Sequence, residues 1–264
     1  MTPEERARLA DDLAHAYDTR IPISPPSQVT TLSVEDAYAV QSLQIEHRVS
    51  AGARVRGHKV GLTSRAMQKM FGVDQPDYGH LLDTMFLPPG EHTTISRFLQ
   101  VRAEPEIAFV LGRDLRGPGV TLADALRSVD FAVAALELID SRVRDWQITL
   151  VDTIADNASS GAVVLGSRPV RLDQIDARLA GCNLYRNGAL VATGAGGAVL
   201  GDPLGALVWL ANTLGRLGVT LEAGAVVLPG SCTPAVPVSA GDIVRADFAG
   251  FGAVSVSFVA EQAS

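Results

Sequence analysis

The stretch VRAEPEIAFVLG, residues 101–112, decides how the chain is read. Its run of Ala, Ile, Phe, Val and Leu predicts a strand, and successive side chains of a strand point to opposite faces. Glu104 and Glu106 are two apart, so they share one face in a segment otherwise built for a core. A second apolar run, FAVAALELID, carries another carboxylate, Glu137, with Ala135 and Ile139 as same-face neighbours. An isolated ionised carboxylate is costly in an apolar interior and must be paired, protonated or bound to a metal. Three of them brought together repel one another, and a divalent cation resolves the repulsion. Neither stretch offers Cys or His, so the all-oxygen set points to a hard ion, Mg²⁺ or Mn²⁺. For the pair alone, an edge strand facing solvent reads equally well, and Pro105 between them fits an edge or a bulge. Glu137 is harder to place at a surface.

Outward from this strand, the pattern predicts an α+β fold, with a small helical N-terminal part and a strand-rich core. Helices are expected over roughly residues 3–18 and 34–52, the second capped by Ser33 with Asp36 reaching back. RVRGHKVGLTS reads as a strand and RAMQKMFG as a short helix, while DQPDYGHLLD reads as loop and turn. Beyond residue 84 strands dominate, with a hairpin turn at Asn187-Gly188 and a short helix at TLADALRSV. A longer helix runs from Asp202 as cap to Gly218. The expected division is 1–80 as the N-terminal domain, contributing Lys59 and Asp77, and 81–264 as the catalytic core.

The chain has 264 residues, 47% of them hydrophobic and 5% aromatic, so Ala, Val and Leu must do most of the packing. A formal net charge of -7 without a Lys/Arg cluster argues against nucleic acid or an anionic membrane as partner. The charged, helical N-terminus is unlike a signal peptide, and no apolar run approaches the roughly 20 residues of a membrane span. With two cysteines in no CxxC-type spacing, a reducing cytoplasm is the expected location.

Two more segments carry chemistry. In GHKVGLTSRAMQ, Lys59 lies among small and apolar residues, where a desolvated ammonium near a metal has a lowered pKa and can shuttle protons; a snorkelling Lys at a strand end is the plainer alternative. Asp77, after Pro76, is either a turn residue or a base that orients water. In DTIADNASSG, residues Asp152, Asp156, Asn157, Ser159 and Ser160 cap a short helix or support the groups in front of them, Asp156 and Asn157 above all. LPGSCT, residues 228–233, is a tight turn or a set of backbone N–H groups able to receive an anion.

In this order, VEDAYAVQ, GHKVGLTSRAMQ, PDYGHLLD, EPEIAFVL, ALELID, LVDTIADNASSG, YRNG, VVLPGSCT and ADFAGFG resemble the 2-hydroxypenta-2,4-dienoate (2-keto-4-pentenoate) hydratases of the fumarylacetoacetate hydrolase superfamily. The resemblance covers most of the chain beyond its first thirty or so residues. WQITLVDTIADNASSG with VVLPGSCT is especially similar to hydratases of actinobacterial steroid-ring degradation. It implies a mixed sheet rolled around the site and a divalent metal on Glu104, Glu106 and Glu137. Lys59 and Asp77 become the acid/base pair. Substrate contacts fall at Leu62, Ser159 and Ser231. It further implies a small dienoate or 2-oxo acid substrate, the pentadienoate or a methyl-extended homologue such as 2-hydroxyhexa-2,4-dienoate, hydrated to a 4-hydroxy-2-oxo acid in aromatic or steroid ring catabolism. A homo-oligomer, pentamer or decamer, and association with the downstream aldolase are implied as well.

Two sister activities share much of this pattern. The 2-oxo-3-hexenedioate (4-oxalocrotonate) decarboxylases tend to read PIYG where this chain reads PDYG, and an anionic Asp beside a leaving carboxylate is unfavourable. The 2-oxohept-4-ene-1,7-dioate hydratases need a cation for the distal carboxylate, for which Arg65, Arg142 and Arg144 are the candidates. A metal-stabilised structural protein without activity is the non-enzymatic alternative.

Overall fold

A computed structural model describes residues 1–261. Helices are α1 (Pro3–Thr19), α2 (Pro26–Val29), α3 (Val34–Ser50), α4 (Arg65–Phe71), α5 (Leu122–Ser128), α6 (Leu150–Ala155) and α7 (Pro203–Arg216). Strands are β1 (Val55–Gly61), β2 (Asp77–Leu82), β3 (Phe86–Leu87), β4 (His92–Thr94), β5 (Arg102–Leu111), β6 (Val129–Ile139) and β7 (Ser160–Leu165). The remaining strands are β8 (Gly181–Arg186), β9 (Ala189–Ala195), β10 (Val226–Leu228), β11 (Val236–Pro237), β12 (Ile243–Phe248) and β13 (Gly252–Val259). The fold is α+β, as the sequence predicts.

The site is built on a curled, mixed sheet in the order β2-β1-β10-β5-β6-β7-β3, with β11 added to one end of β5. β1/β10 and β3/β7 pair in parallel, and the other neighbours run antiparallel. A second sheet, β4-β13-β12-β8-β9, covers the convex side. The odd-numbered face of β5, with Ile107 and Phe109, packs there against Leu184, Val244, Phe258 and the α7 leucines Leu207 and Leu210. The even-numbered face lines the concave side. Deep in the curl Ala108, Val133, Ala135, Val163, Val226 and Leu228 close a second, smaller apolar cluster. The carboxylates therefore stand on the rim side of an apolar floor.

Local rules account for most element ends. Ser33 and Asp36 form a reciprocal capping box on α3. Asn187 and Gly188 both have positive φ (54° and 80°), as a type I′ hairpin turn requires. Asp202 caps α7 by accepting from the Leu204 N–H, with Pro203 at the first helical position.

Two expectations are corrected. DQPDYGHLLD is not all loop and turn: Asp77–Leu82 is β2, an edge strand pairing with β1 in register, Lys59 opposite Gly79. Gly79 and Pro76 lower its local strand preference, and tertiary pairing overrides them. The expected 80/81 domain boundary consequently cuts through β2, and β1 and β2 are part of the main sheet. The helices that form a separate small core are α1 and α3, with Leu9, Leu13, Ala37 and Val40 packed against Ile154 and Ala155 of α6.

Candidate active site

The register of β5 on β6 puts Glu104 directly opposite Glu137. With Glu106 two residues on, one oxygen from each of the three carboxylates lies within 4.8 Å of the others. Glu106 and Glu137 are each 1% exposed, while Glu104 is half-buried toward the rim. The backbone N–H of Gly230 donates to Glu106 Oε2 at 2.7 Å. Both Glu137 oxygens are buried and accept no hydrogen bond among the described residues.

Lys59, on β1, reaches across β10 to this cluster. Its Nζ donates to the Ala158 carbonyl at 2.9 Å and lies 3.4 Å from Glu137 Oε1, an ion pair without hydrogen-bond alignment. Asp77, at the start of β2, faces the same side two strand positions away; it is 2% exposed, and its Oδ1 has no hydrogen-bond partner among the described residues. A Cβ on Gly61, opposite Asp77, would come within 2.2 Å of Asp77 Oδ1, so any larger residue there would push the Asp77 carboxylate from its place.

Four buried or half-buried carboxylates thus face one ammonium. Burial, then the neighbouring Glu137 charge, pushes the Glu104 carboxyl up to about 7. Glu106 is raised well above the ordinary range by burial and then by Glu137 and Glu104. Burial also raises Glu137 and Asp77 against the opposing pull of Lys59. For Lys59 burial acts downward, but the carboxylates, Glu137 first, outweigh it and hold the ammonium above its ordinary value. The lowered pKa expected for Lys59 is therefore not found with the carboxylates as its only partners. Neutralising them would withdraw the attraction that holds the proton and leave desolvation to act.

This donor set fits a divalent cation. The oxygens converge, none comes from Cys or His, and the two unpartnered Glu137 oxygens are what a hard ion coordinates. Glu104, Glu106 and Glu137 are the residues that would hold it.

The other expected positions fall around the same rim with unequal freedom. Leu62 follows β1 in the left-handed region (φ 54°), and its carbonyl accepts from Gln68. The turn at 230 sits against Thr63: a Cβ on Gly230 would meet Thr63 Oγ1 at 2.0 Å. Ser231 follows, but its hydroxyl donates to the Thr233 carbonyl within its own loop (2.7 Å). Ser159 is buried, its Oγ 3.2 Å from Thr153 Oγ1.

Asp156 and Asn157 stand behind the site. Asn157, Ala158 and Ser159 are three successive non-glycine residues with φ near +50° (51°, 50°, 53°), a costly run that surrounding contacts must hold. Arg142 supplies them: its guanidinium pairs with Asp156 and donates to the carbonyls of Asp140, Ser160 and Asp156. Asn157 adds a two-way clamp to the backbone of His80 on the free edge of β2 (2.8 and 2.9 Å). The turn so fixed presents Ala158 O to Lys59. Burial, opposed by Arg142, lifts Asp156 to about 6. Arg142→Ala should cost roughly 3–5 kcal/mol, because it strands a buried charge, and urea unfolding of the variant measures it.

Arg142 is 4% exposed and its donors are committed to this turn, which corrects its reading as a cation for a distal substrate carboxylate. Sequence reading missed Ala158, which acts through a backbone carbonyl that no side-chain pattern reports; in the 228–233 turn, read as a set of N–H groups for an anion, Gly230 N–H receives the Glu106 carboxylate.

The curled mixed sheet thus brings three convergent carboxylates and a buried Lys to one place, groups able to hold a cation and to move a proton. Residues 55–259 match the family described as fumarylacetoacetate (FAA) hydrolase C-terminal, and the chain belongs to that family. Among its relatives, the 2-keto-4-pentenoate hydratase of Paraburkholderia xenovorans (strain LB400) is 45% identical over 99% of this chain and 98% of its own. The 2-oxo-hept-4-ene-1,7-dioate hydratase of Escherichia coli is 42% identical over 86% of this chain and 88% of its own. The structure of 4-oxalocrotonate decarboxylase from Pseudomonas putida G7, complexed with magnesium and adipate, superposes with a TM-score of 0.95 at 34% identity, over 98% of this chain and 99% of that one. No helix among the described residues is long and apolar enough to cross a membrane.

Proposed function

We propose that the protein is a divalent-metal-dependent hydro-lyase of the 2-keto-4-pentenoate hydratase type, with Mg²⁺ or Mn²⁺ held by Glu104, Glu106 and Glu137. The substrate is 2-hydroxypenta-2,4-dienoate or a short homologue. A proton goes to C5 as the O2 proton leaves, giving a 2-oxo-3-enoate. The hydroxyl of water then joins C4 and a proton joins C3, so the product is a 4-hydroxy-2-oxo acid. Similarity to hydratases over nearly the full chain supports the reaction type. The single structural observation that carries it is Asp77, a buried carboxylate with a free oxygen on the same sheet face as Lys59.

A bound cation would act as Lewis acid on the 2-oxo group. The chain's own residues do the rest. Lys59, oriented by Ala158 O, is the proton donor at C5. Asp77, whose carboxyl burial raises against the pull of Lys59, is the group that accepts a proton from water. The apolar floor excludes bulk water from the reacting chain. Backbone N–H groups around Leu62 and Ser231 are the proposed contacts for the substrate carboxylate, with Ser159 beside them. Assembly as a pentamer or decamer, contact with the aldolase acting next, and a cytoplasmic location belong to the same proposal.

Loss of conjugated ultraviolet absorbance with Mg²⁺ and the pentadienoate, without CO₂ release, is the direct test. Faster CO₂ release from 2-oxo-3-hexenedioate would assign a decarboxylase instead. Asp77→Asn should lower hydration roughly 10²–10⁴-fold. It should still exchange substrate C–H for deuterium in D₂O, because Lys59 remains; NMR reads both, and equal loss of exchange would remove Asp77 from the water step.

A further inference from the structure

His58 on β1 and His80 on β2 stand directly opposite each other across the antiparallel pair. Alternation puts them on the face away from Lys59, so they lie behind the catalytic strand and outside the carboxylate site. Their ring centres are 4.9 Å apart and the rings are tilted by 53°. His58 is 5% exposed, and His80 is half-buried on the outermost strand of the sheet. The Nδ1 of each ring is buried and has no hydrogen-bond partner among the described residues. The Asn157 amide beside His80 is spent on that residue's backbone N–H and carbonyl. Two orphaned nitrogens on adjacent rings are costly unless something binds them, because a buried polar atom without a partner loses its hydration and gains nothing.

The pair has the spacing of a bidentate ligand. Two imidazoles that bind one ion at about 2.0–2.1 Å, at the roughly 90–110° of square or tetrahedral geometry, have ring centres about 4.5–5.2 Å apart. Burial, and then the other ring, holds His58 at about 3, while burial, against the Asn157 hydrogen bond, holds His80 at about 4. Both imidazoles are therefore neutral near pH 7, the form that ligates a metal. We infer that His58 and His80 form a second metal site, which takes a borderline dication such as Zn²⁺, Ni²⁺ or Cu²⁺ while the three carboxylates keep the hard ion. Water completes the coordination from the half-buried side of His80. The ion clamps β1 to β2 from behind, and these two strands carry Lys59 and Asp77.

The test is made in a Glu106→Gln background, so that the carboxylate site does not compete for the ion. Calorimetric titration with Zn²⁺ should show one tight equivalent. His80→Gln, at a half-buried edge position, should weaken it by more than the roughly 10–100-fold that loss of an outer-sphere partner costs a metal site. His58→Leu, which keeps a bulky side chain in the buried position, should do the same. Circular dichroism checks that both fold, and if His58→Leu does not, His80→Gln alone decides. The exposed His15, His47 and His92 stay in every variant and account for any weak residual binding. Electron paramagnetic resonance with one equivalent of Cu²⁺ should show coupling to two imidazole nitrogens, a signature that carboxylate oxygens cannot give. That coupling, lost in His80→Gln together with Zn²⁺ affinity, supports the site. No Zn²⁺ uptake, uptake unchanged in His80→Gln, or a Cu²⁺ spectrum without paired imidazole coupling overturns it and leaves the two rings a packing role only. None of these readouts uses turnover, so the outcome is independent of the hydratase reading.

Discussion

Glu106→Gln is expected to lower hydratase activity by at least about 10³-fold, since a Lewis-acid metal supplies several kcal/mol and each 1.36 kcal/mol is a factor of ten. Gly230 N–H can still donate to the amide oxygen at that position, so the 228–233 turn and the fold should survive. Calorimetric titration should show Mg²⁺ affinity lost while circular dichroism is unchanged. Chelator should do the same to the parent protein, reversibly, and full activity in excess chelator would sink the metal reading. The pH dependence follows from the raised carboxyls. Glu104 titrates at about 7 in the folded, metal-free site against an ordinary value of 4.5. A raised folded-state value means that the unfolded chain binds fewer protons over that interval. Stability from this group is complete below the unfolded value and is lost as pH rises through the folded one. Glu106 and Glu137, also raised, act with the same sign. The metal-free protein should therefore melt at lower temperature at pH 8 than at pH 5.5. Mg²⁺ at about a hundred times its Kd should restore about 2.7 kcal/mol, with its largest effect at the higher pH. A melting temperature indifferent to Mg²⁺ at pH 8 would contradict this account.

Lys59→Ala should carry the second large loss, roughly 10²–10⁴-fold, the usual contribution of a positioned acid or base. Unlike Asp77→Asn it should stop solvent exchange of the substrate's carbon-bound hydrogens together with hydration, because both begin with proton transfer at carbon. The change also removes the ammonium paired with Glu137, which alters the charge balance of the carboxylates. Lys59→Met keeps the packing volume of the chain, and metal affinity measured in parallel separates the two effects. An unchanged affinity with abolished exchange assigns the proton transfer to Lys59. Exchange that survives in both variants would move that role elsewhere.

Much of this molecule is legible in its residues because the governing interactions are local. Alternation along β5 puts Glu104 and Glu106 on one face whatever the rest of the chain does. Caps at Ser33, Asp202 and the Asn187-Gly188 turn depend on a few neighbouring atoms, and they fall where the residue types predict. The composition of the donor set, oxygen only, already restricts the metal. Other features belong to the tertiary structure alone. β2 becomes a strand because β1 and the Asn157 amide satisfy its backbone on either edge, a long-range pairing that outweighs weak local preference. The pairing of Glu104 with Glu137 is a matter of register between β5 and β6, which sequence spacing does not encode. The direction of the Lys59 shift depends on how many carboxylates surround it, and Coulomb interactions are set by distance in space. The same holds for the arginines: Arg142 and Arg102 are alike as letters, and only their neighbours make one a strut behind a strained turn and the other a cation stacked on Trp146.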